Sequence, residues 1–255
     1  MRASDQERPP SLSAPWIARA RVMRFVAAVP RLARVMSGSS DDAQEKGNPM
    51  NVVSFINFVC GSEPRNPSLD LVQPVREQIA LLEGYGYPAT FLLMYNAMER
   101  EDIRSALAER TAGMELGIWL EMDQDLVSAA GLSWRGRPGY DWDWHADVGF
   151  LIGYTPEERE TLVRTVFDRF YHHYGYYPRV VGSWILDAHT LRYLEDNYDI
   201  DAAFICRDQW GTDGYTLWGG FWDGGYYPRR NNSFAPASRL DNQIDIPLFR
   251  MLGSD

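Results

Sequence analysis

From Met50 onward, short apolar runs alternate with longer stretches of helical spacing. Residues 51–59 form an apolar, β-branched and aromatic run that reads as a strand. Leu71, Val75, Ile79 and Leu82 then recur at three- and four-residue intervals, predicting a helix over 69–82. Residues 88–94 are the next strand, 99–109 a charged helix, and 114–121 a third strand with a short helix over 123–130 that stops at Gly131. Thr155-Pro156-Glu157-Glu158 supplies an N-cap, a proline at the first helical position and a capping-box glutamate. A long helix therefore opens there and ends near Gly175. Strand 179–184, helix 188–197, strand 202–207 and a last strand over 244–249 complete the series. About six strands with helices between them predict an α/β fold with a mainly parallel sheet or barrel. Residues 208–237 are Gly- and aromatic-rich and irregular, and a loop that long in a compact domain is usually functional.

The first 49 residues have a different texture. Pro9-Pro10, Ser37-Gly38-Ser39-Ser40 and Asp41-Asp42 are loop and linker chemistry. Between them, apolar residues broken by Arg19, Arg21, Arg24, Arg31 and Arg34 predict at most a short basic amphipathic helix. Those arginines make it a poor signal peptide, which leaves a cytoplasmic location as the default. Residues 1–49 are thus expected to be a disordered or loosely helical extension, and 50–255 the barrel domain. The sequence closes at Arg250-Met251-Leu252-Gly253-Ser254-Asp255, directly after a strand. A closed barrel of this kind wants seven or eight strands, so the expectation is that closure or an accessory domain follows Asp255.

Composition removes several function classes. The chain has 25 Lys+Arg and 35 Asp+Glu; residues 1–49 hold eight and five, the rest 17 and 30, a net of −13 over the body. Such a surface repels phosphate backbones, so nucleic acid is not expected as a partner. Lys46 is the only lysine, which leaves the body without the amine of a P-loop or a Schiff-base enzyme. Cys60 and Cys206 are far apart, without CxxC spacing, and read as small hydrophobes near strand ends. No apolar stretch approaches the ~20 residues of a membrane span. Oligomeric state is not legible.

Eight of the nine tryptophans lie between Trp119 and Trp222, interleaved with Asp, Glu, Tyr and Gly. Flat aromatic faces beside carboxylates suit a ligand with apolar ring faces and hydroxyl edges, and sugars are the commonest of these. In the third strand Glu115, Gly117, Trp119 and Glu121 share the face that points into a βα barrel. Glu121 sits at its C-terminal end, where ligand chemistry collects, whereas Glu115 stands at the beginning and reads as structural. An ion pair with Arg135 or Arg137 is the plain alternative for Glu121. Asp187 and Asp208 each follow a predicted strand. Asp187 is equally placed to cap the next helix. Asp208 has no helix behind it and opens a loop bearing Trp210, Tyr215, Trp218 and Trp222. Asp141-Trp142-Asp143-Trp144-His145 alternates acids with indoles and ends in His, a string able to line a sugar cleft or to contribute a metal ligand.

This order of segments resembles the glycoside hydrolase/polysaccharide deacetylase superfamily, and within it an uncharacterised bacterial family. The strings that carry the resemblance are Gly182-Ser183-Trp184-Ile185-Leu186-Asp187 and Asp208-Gln209-Trp210-Gly211-Thr212-Asp213-Gly214-Tyr215. It implies a distorted (β/α)7-type barrel, incomplete at the C-terminus. Two departures stand out. Deacetylases carry an Asp-bearing first strand, where this chain has Ser54-Phe55-Ile56-Asn57-Phe58. Their zinc-binding His-x-x-x-His pair is replaced here by Trp119 and Asp123. Both departures remove ligands that a catalytic zinc needs, so no cofactor is expected.

What the resemblance leaves is a metal-independent glycosidase with two carboxylates, drawn from Glu121, Asp187 and Asp208. Asn57, Trp119, Asp143, His145, Trp184, Arg207, Asp213 and Trp218 are expected to shape the sugar site. One rival is a glycan-binding barrel that has lost its metal site and its chemistry. The other is a deacetylase with a rearranged metal site at Asp143, His145 and His189.

Overall fold

The computed structural model describes residues 24–25, 54–143, 145–206 and 225–251. It is a mixed α/β structure around a curled sheet, a half-barrel flanked by helices. Six parallel strands run in the order β2 (Ser54–Val59), β3 (Ala89–Leu93), β4 (Met114–Trp119), β5 (Val180–Ser183), β6 (Ala202–Cys206) and β9 (Leu248–Met251). A short strand β1 (Arg24–Phe25) pairs antiparallel with β2 and is the one described part of residues 1–53. A separate hairpin, β7 (Pro228–Arg229) and β8 (Asn232–Pro236), lies between β6 and β9 in sequence.

Register explains the core. Val59, Leu93, Ile118, Val181, Ala203 and Leu248 are paired neighbours in one row across six strands, and all are buried. That face is covered by α1 (Gln73–Gly84), α3 (Glu101–Ala108) and α6 (Pro156–Tyr174), whose buried residues recur at helical spacing. The opposite, concave face carries Phe58, Leu92, Trp119, Gly182 and Phe204. Gly182 is small for a reason: a Cβ there would lie 2.6 Å from Leu92 Cδ1 and 2.8 Å from Trp119 Cε3. The missing side chain makes room for the indole.

The capping signals of the sequence appear where they were predicted. Thr155 and Glu158 form a reciprocal capping box, and α6 ends at Gly175 with φ 76°, the left-handed conformation that favours glycine. Three expectations shift. The first helix starts at Gln73 rather than 69, because the Asp70 carboxylate accepts from the Val72 and Gln73 amides and Pro74 opens the helix. The charged helix is preceded by a buried turn, α2 (Tyr95–Glu99), separated from α3 by extended backbone at Arg100. The last strand begins at Leu248 rather than 244, since Pro247 has no amide to donate and the Ile244 amide is spent on the Pro228 carbonyl.

Residues 225–237 also differ from the irregular loop expected. They form the β7–β8 hairpin, held to α7 (Ala188–Asn197) where Glu195 accepts from Arg230 Nη1 at 2.9 Å and from the Asp245 amide at 2.5 Å. Among the described residues no helix is long and apolar enough to cross a membrane.

Candidate functional site

Trp119 is the last residue of β4, and only 1% of it is exposed. Two residues later, on the same face, stands Glu121, also buried. The chain bends between them, with the Glu121 amide donating to the Trp119 carbonyl at 3.0 Å and the Leu120 amide to Gly182 at 2.6 Å. The Glu121 carboxylate receives three indole N–H groups. Trp119 Nε1 donates to Oε2 at 2.7 Å, Trp184 Nε1 to Oε2 at 2.9 Å, and Trp142 Nε1 to Oε1 at 2.5 Å. Indole nitrogen can only donate and a carboxylate only accept, so the three rings and the acid are matched by type.

The rings also pack on one another. Phe58 stacks on Trp119 with centroids 4.9 Å apart, and Trp184 meets the edge of Trp119 at 5.8 Å. Trp119 is the floor of this cluster; Phe58, Trp142 and Trp184 are only partly buried and form its walls. Arg65, on the loop after β2, places its guanidinium over the Trp142 ring at 5.3 Å. Cys60 borders the same carboxylate: burial, then the Glu121 charge, pushes its thiol well up, which speaks against a reactive thiolate.

Trp142 arrives from a distant part of the sequence. Its segment is clipped to the end of β4 by a backbone bridge between Asp123 and Trp142, by Gln124 N–H to the Asp141 carbonyl at 2.7 Å, and by Met122 N–H to Gly149 at 2.9 Å. Asp143 is buried beside it and accepts from Arg137 Nε at 3.0 Å, from the His145 amide at 3.1 Å and from His145 Nδ1. Burial works against the Asp143 carboxylate, yet the His145 and Arg137 donors together hold it below the usual carboxylate range. The His145 ring is itself exposed.

Asp187 is committed elsewhere. It is the N-cap of α7, accepting from the His189 and Thr190 amides and from Thr190 Oγ1, and it faces Arg159 Nη1 at 3.0 Å. The capping alternative read from sequence describes the two amide contacts, and the ion pair with Arg159 is added by tertiary packing. The arginines offered as ion-pair partners for Glu121 also have other acids: Arg135 pairs with Glu158 and Arg137 with Asp143. Asn57 pairs in register with Phe91, hence on the helix-covered face rather than that of Trp119. Its Nδ2 is buried there without a hydrogen-bond partner.

Glu121, Trp119 and Trp184 are therefore brought together, with Asp143 and His145 on the adjoining segment. Arg207, Asp208, Asp213 and Trp218 lie outside the described residues. Of the suggested metal trio, Asp143 is bound to His145, while His189 pairs with Glu160 on α6 at 3.0 Å. Among the described residues no group of three or more His, Cys, Asp or Glu is placed to hold a metal. Sequence reasoning missed Trp142 as a Glu121 partner and Asp123 as a buried acid. The alternation Asp141-Trp142-Asp143 marked Trp142 as a site candidate without naming its partner, and no local signal marked the burial of Asp123.

No family model and no curated protein matches the chain. Two solved structures are similar in fold. One is a candidate glycoside hydrolase/deacetylase of Parabacteroides distasonis, at 14% identity and TM-score 0.47, covering 76% of this chain and 43% of that one. The other is a candidate polysaccharide deacetylase of Mycobacterium smegmatis, at 14% identity and TM-score 0.44, covering 77% and 56%. This chain thus spans about half the length of either.

Proposed function

We propose that this chain acts on carbohydrate as a hydrolase, with a sugar ring bound at the C-terminal rim of β4 against the Trp142 and Trp184 indoles. The observation that carries the reading is the buried Glu121 carboxylate held by three indole N–H groups beside partly open aromatic walls. An aromatic wall takes the apolar face of a sugar, and a fixed carboxylate beside it faces the carbon where positive charge develops on glycosidic cleavage. Glu121 and Asp208 are the pair in this reading. One attacks the anomeric carbon or stabilises its charge, and the other protonates the leaving oxygen, as a retaining mechanism needs at ~5–5.5 Å separation. Asp187 holds α7 and Arg159 at the rim. Asp143, His145, Arg207, Asp213 and Trp218 border the sugar.

A panel of aryl glycosides tests this with Glu121→Gln and Asp208→Asn. Each substitution is expected to lower turnover by about 10²–10⁴-fold, the usual weight of a positioned acid or base. Undiminished hydrolysis in both variants overturns the assignment. A second reading is a non-catalytic glycan-binding barrel, favoured by the fact that both Glu121 oxygens already accept indole N–H. Glycan binding by the unaltered chain with no turnover of any glycoside supports that reading instead.

A further inference from the structure

Asp123 is fully buried, and nothing above gives it a part in the chemistry. Its Oδ1 accepts from the Leu126 amide at 2.7 Å, capping α4 (Gln124–Ala129), and its Oδ2 accepts from the Asn96 amide at 3.1 Å. The Asn96 side chain passes the link on, accepting from the Gly61 amide at 2.8 Å and donating to Ser62 Oγ at 3.1 Å. Gly61 follows β2, Asn96 follows β3 and Asp123 follows β4, so one buried carboxyl joins the exits of three adjacent strands. The backbone of Asp123 is also the rung to which Trp142 is paired.

We propose that Asp123 is the positioning residue of this site: it ties the three loops together and sets how firmly the Trp142 indole is held on Glu121. The two oxygens are not equivalent in this role. A proton on the carboxyl leaves the shorter Leu126 bond in place and weakens the longer one to Asn96, which loosens the tie to the β2 and β3 loops. The charges of Asp125 and Asp141 oppose the ionisation of Asp123, and Cys60, Tyr95 and Tyr154 each feel its charge. Burial pushes the Asp123 carboxyl up to about 7, against the pull of the two amides, so the switch falls in the neutral range. The inference concerns the indole-held carboxylate itself and stands whether the site hydrolyses glycans or only binds them.

Nitrogen-edited NMR of the full chain reads this directly. The indole N–H resonance of Trp142 is identified by its loss in Trp142→Phe, and the Asp123 carboxyl is followed by carbon-13 titration. The expected result is one shared midpoint for the two signals, with a Trp142 resonance that no longer moves with pH in Asp123→Asn. A Trp142 signal that stays still while Asp123 titrates overturns the proposal, as does a pH response that survives in Asp123→Asn. Should Asp123→Asn fail to fold, the two midpoints in the unaltered protein decide, and separate values overturn it. A purely structural aspartate would move thermal stability and leave the indole signal independent of its titration.

Discussion

At the scale of single residues, the concave face works because very different side chains interlock. Trp119 needs an absent side chain at Gly182, and Glu121 needs three donors of one chemical type. Gly182→Ala is expected to cost about 1–3 kcal/mol, the usual penalty of overpacking, because Leu92 and Trp119 must both give way. Denaturant titration followed by tryptophan emission checks it. A shifted emission maximum in the native state would show that the indole itself has moved, and an unchanged midpoint and spectrum would contradict the packing described.

At the scale of elements, local signals and tertiary demands meet at the helix starts. Thr155 caps α6 with a partner three residues away, a motif complete within the sequence. Asp187 caps α7 in the same way but also faces Arg159 from α6, so its loss strands a cation as well as two amides. Thr155→Ala is expected to lower stability by about 1 kcal/mol, and Asp187→Ala by more, since a hydrogen bond to a charged group adds about 1.5–3 kcal/mol. Chemical denaturation of the two variants side by side measures the difference. Equal losses would mean that the Arg159 contact contributes nothing to α7.

For the whole molecule, two sets of acids pull stability in opposite directions along the pH axis. Arginine and histidine hold Glu99 below the usual carboxylate range, and Arg179 does the same for Asp201. Such groups add stability that is present above the unfolded carboxylate range and lost as pH falls through their depressed values. Asp123 works the other way: raised from 3.8 to about 7, it binds its proton more tightly folded than unfolded. Its contribution is complete in acid and is lost as pH rises through about 7. Tm is therefore expected to peak in mild acid and to decline from about pH 5 to pH 8, with a flatter decline in Asp123→Asn whatever its absolute Tm. Calorimetry across that range checks it, and an equally steep decline in the variant would remove Asp123 as the cause.

Much of this organisation is local and was open to reading from the chain alone. Periodicity placed the parallel strands within a few residues, because a strand buried on both faces reads as a short, nearly continuous apolar run between stretches of helical spacing. The capping box of α6, its glycine stop and the position of Glu121 at a strand's end followed from motifs that span four residues or fewer. Only tertiary structure decided which donors reach that carboxylate. Trp142 and Trp184 stand 21 and 63 positions away, a separation that no spacing rule encodes. Only tertiary structure gave Asp187 to Arg159 and turned Asn57 to the helix-covered face, since ion pairing depends on distance in space and facing depends on register. It also made Asp123 a buried acid: an N-cap aspartate is ordinary in sequence, and its proton affinity comes from the packing that shuts water out.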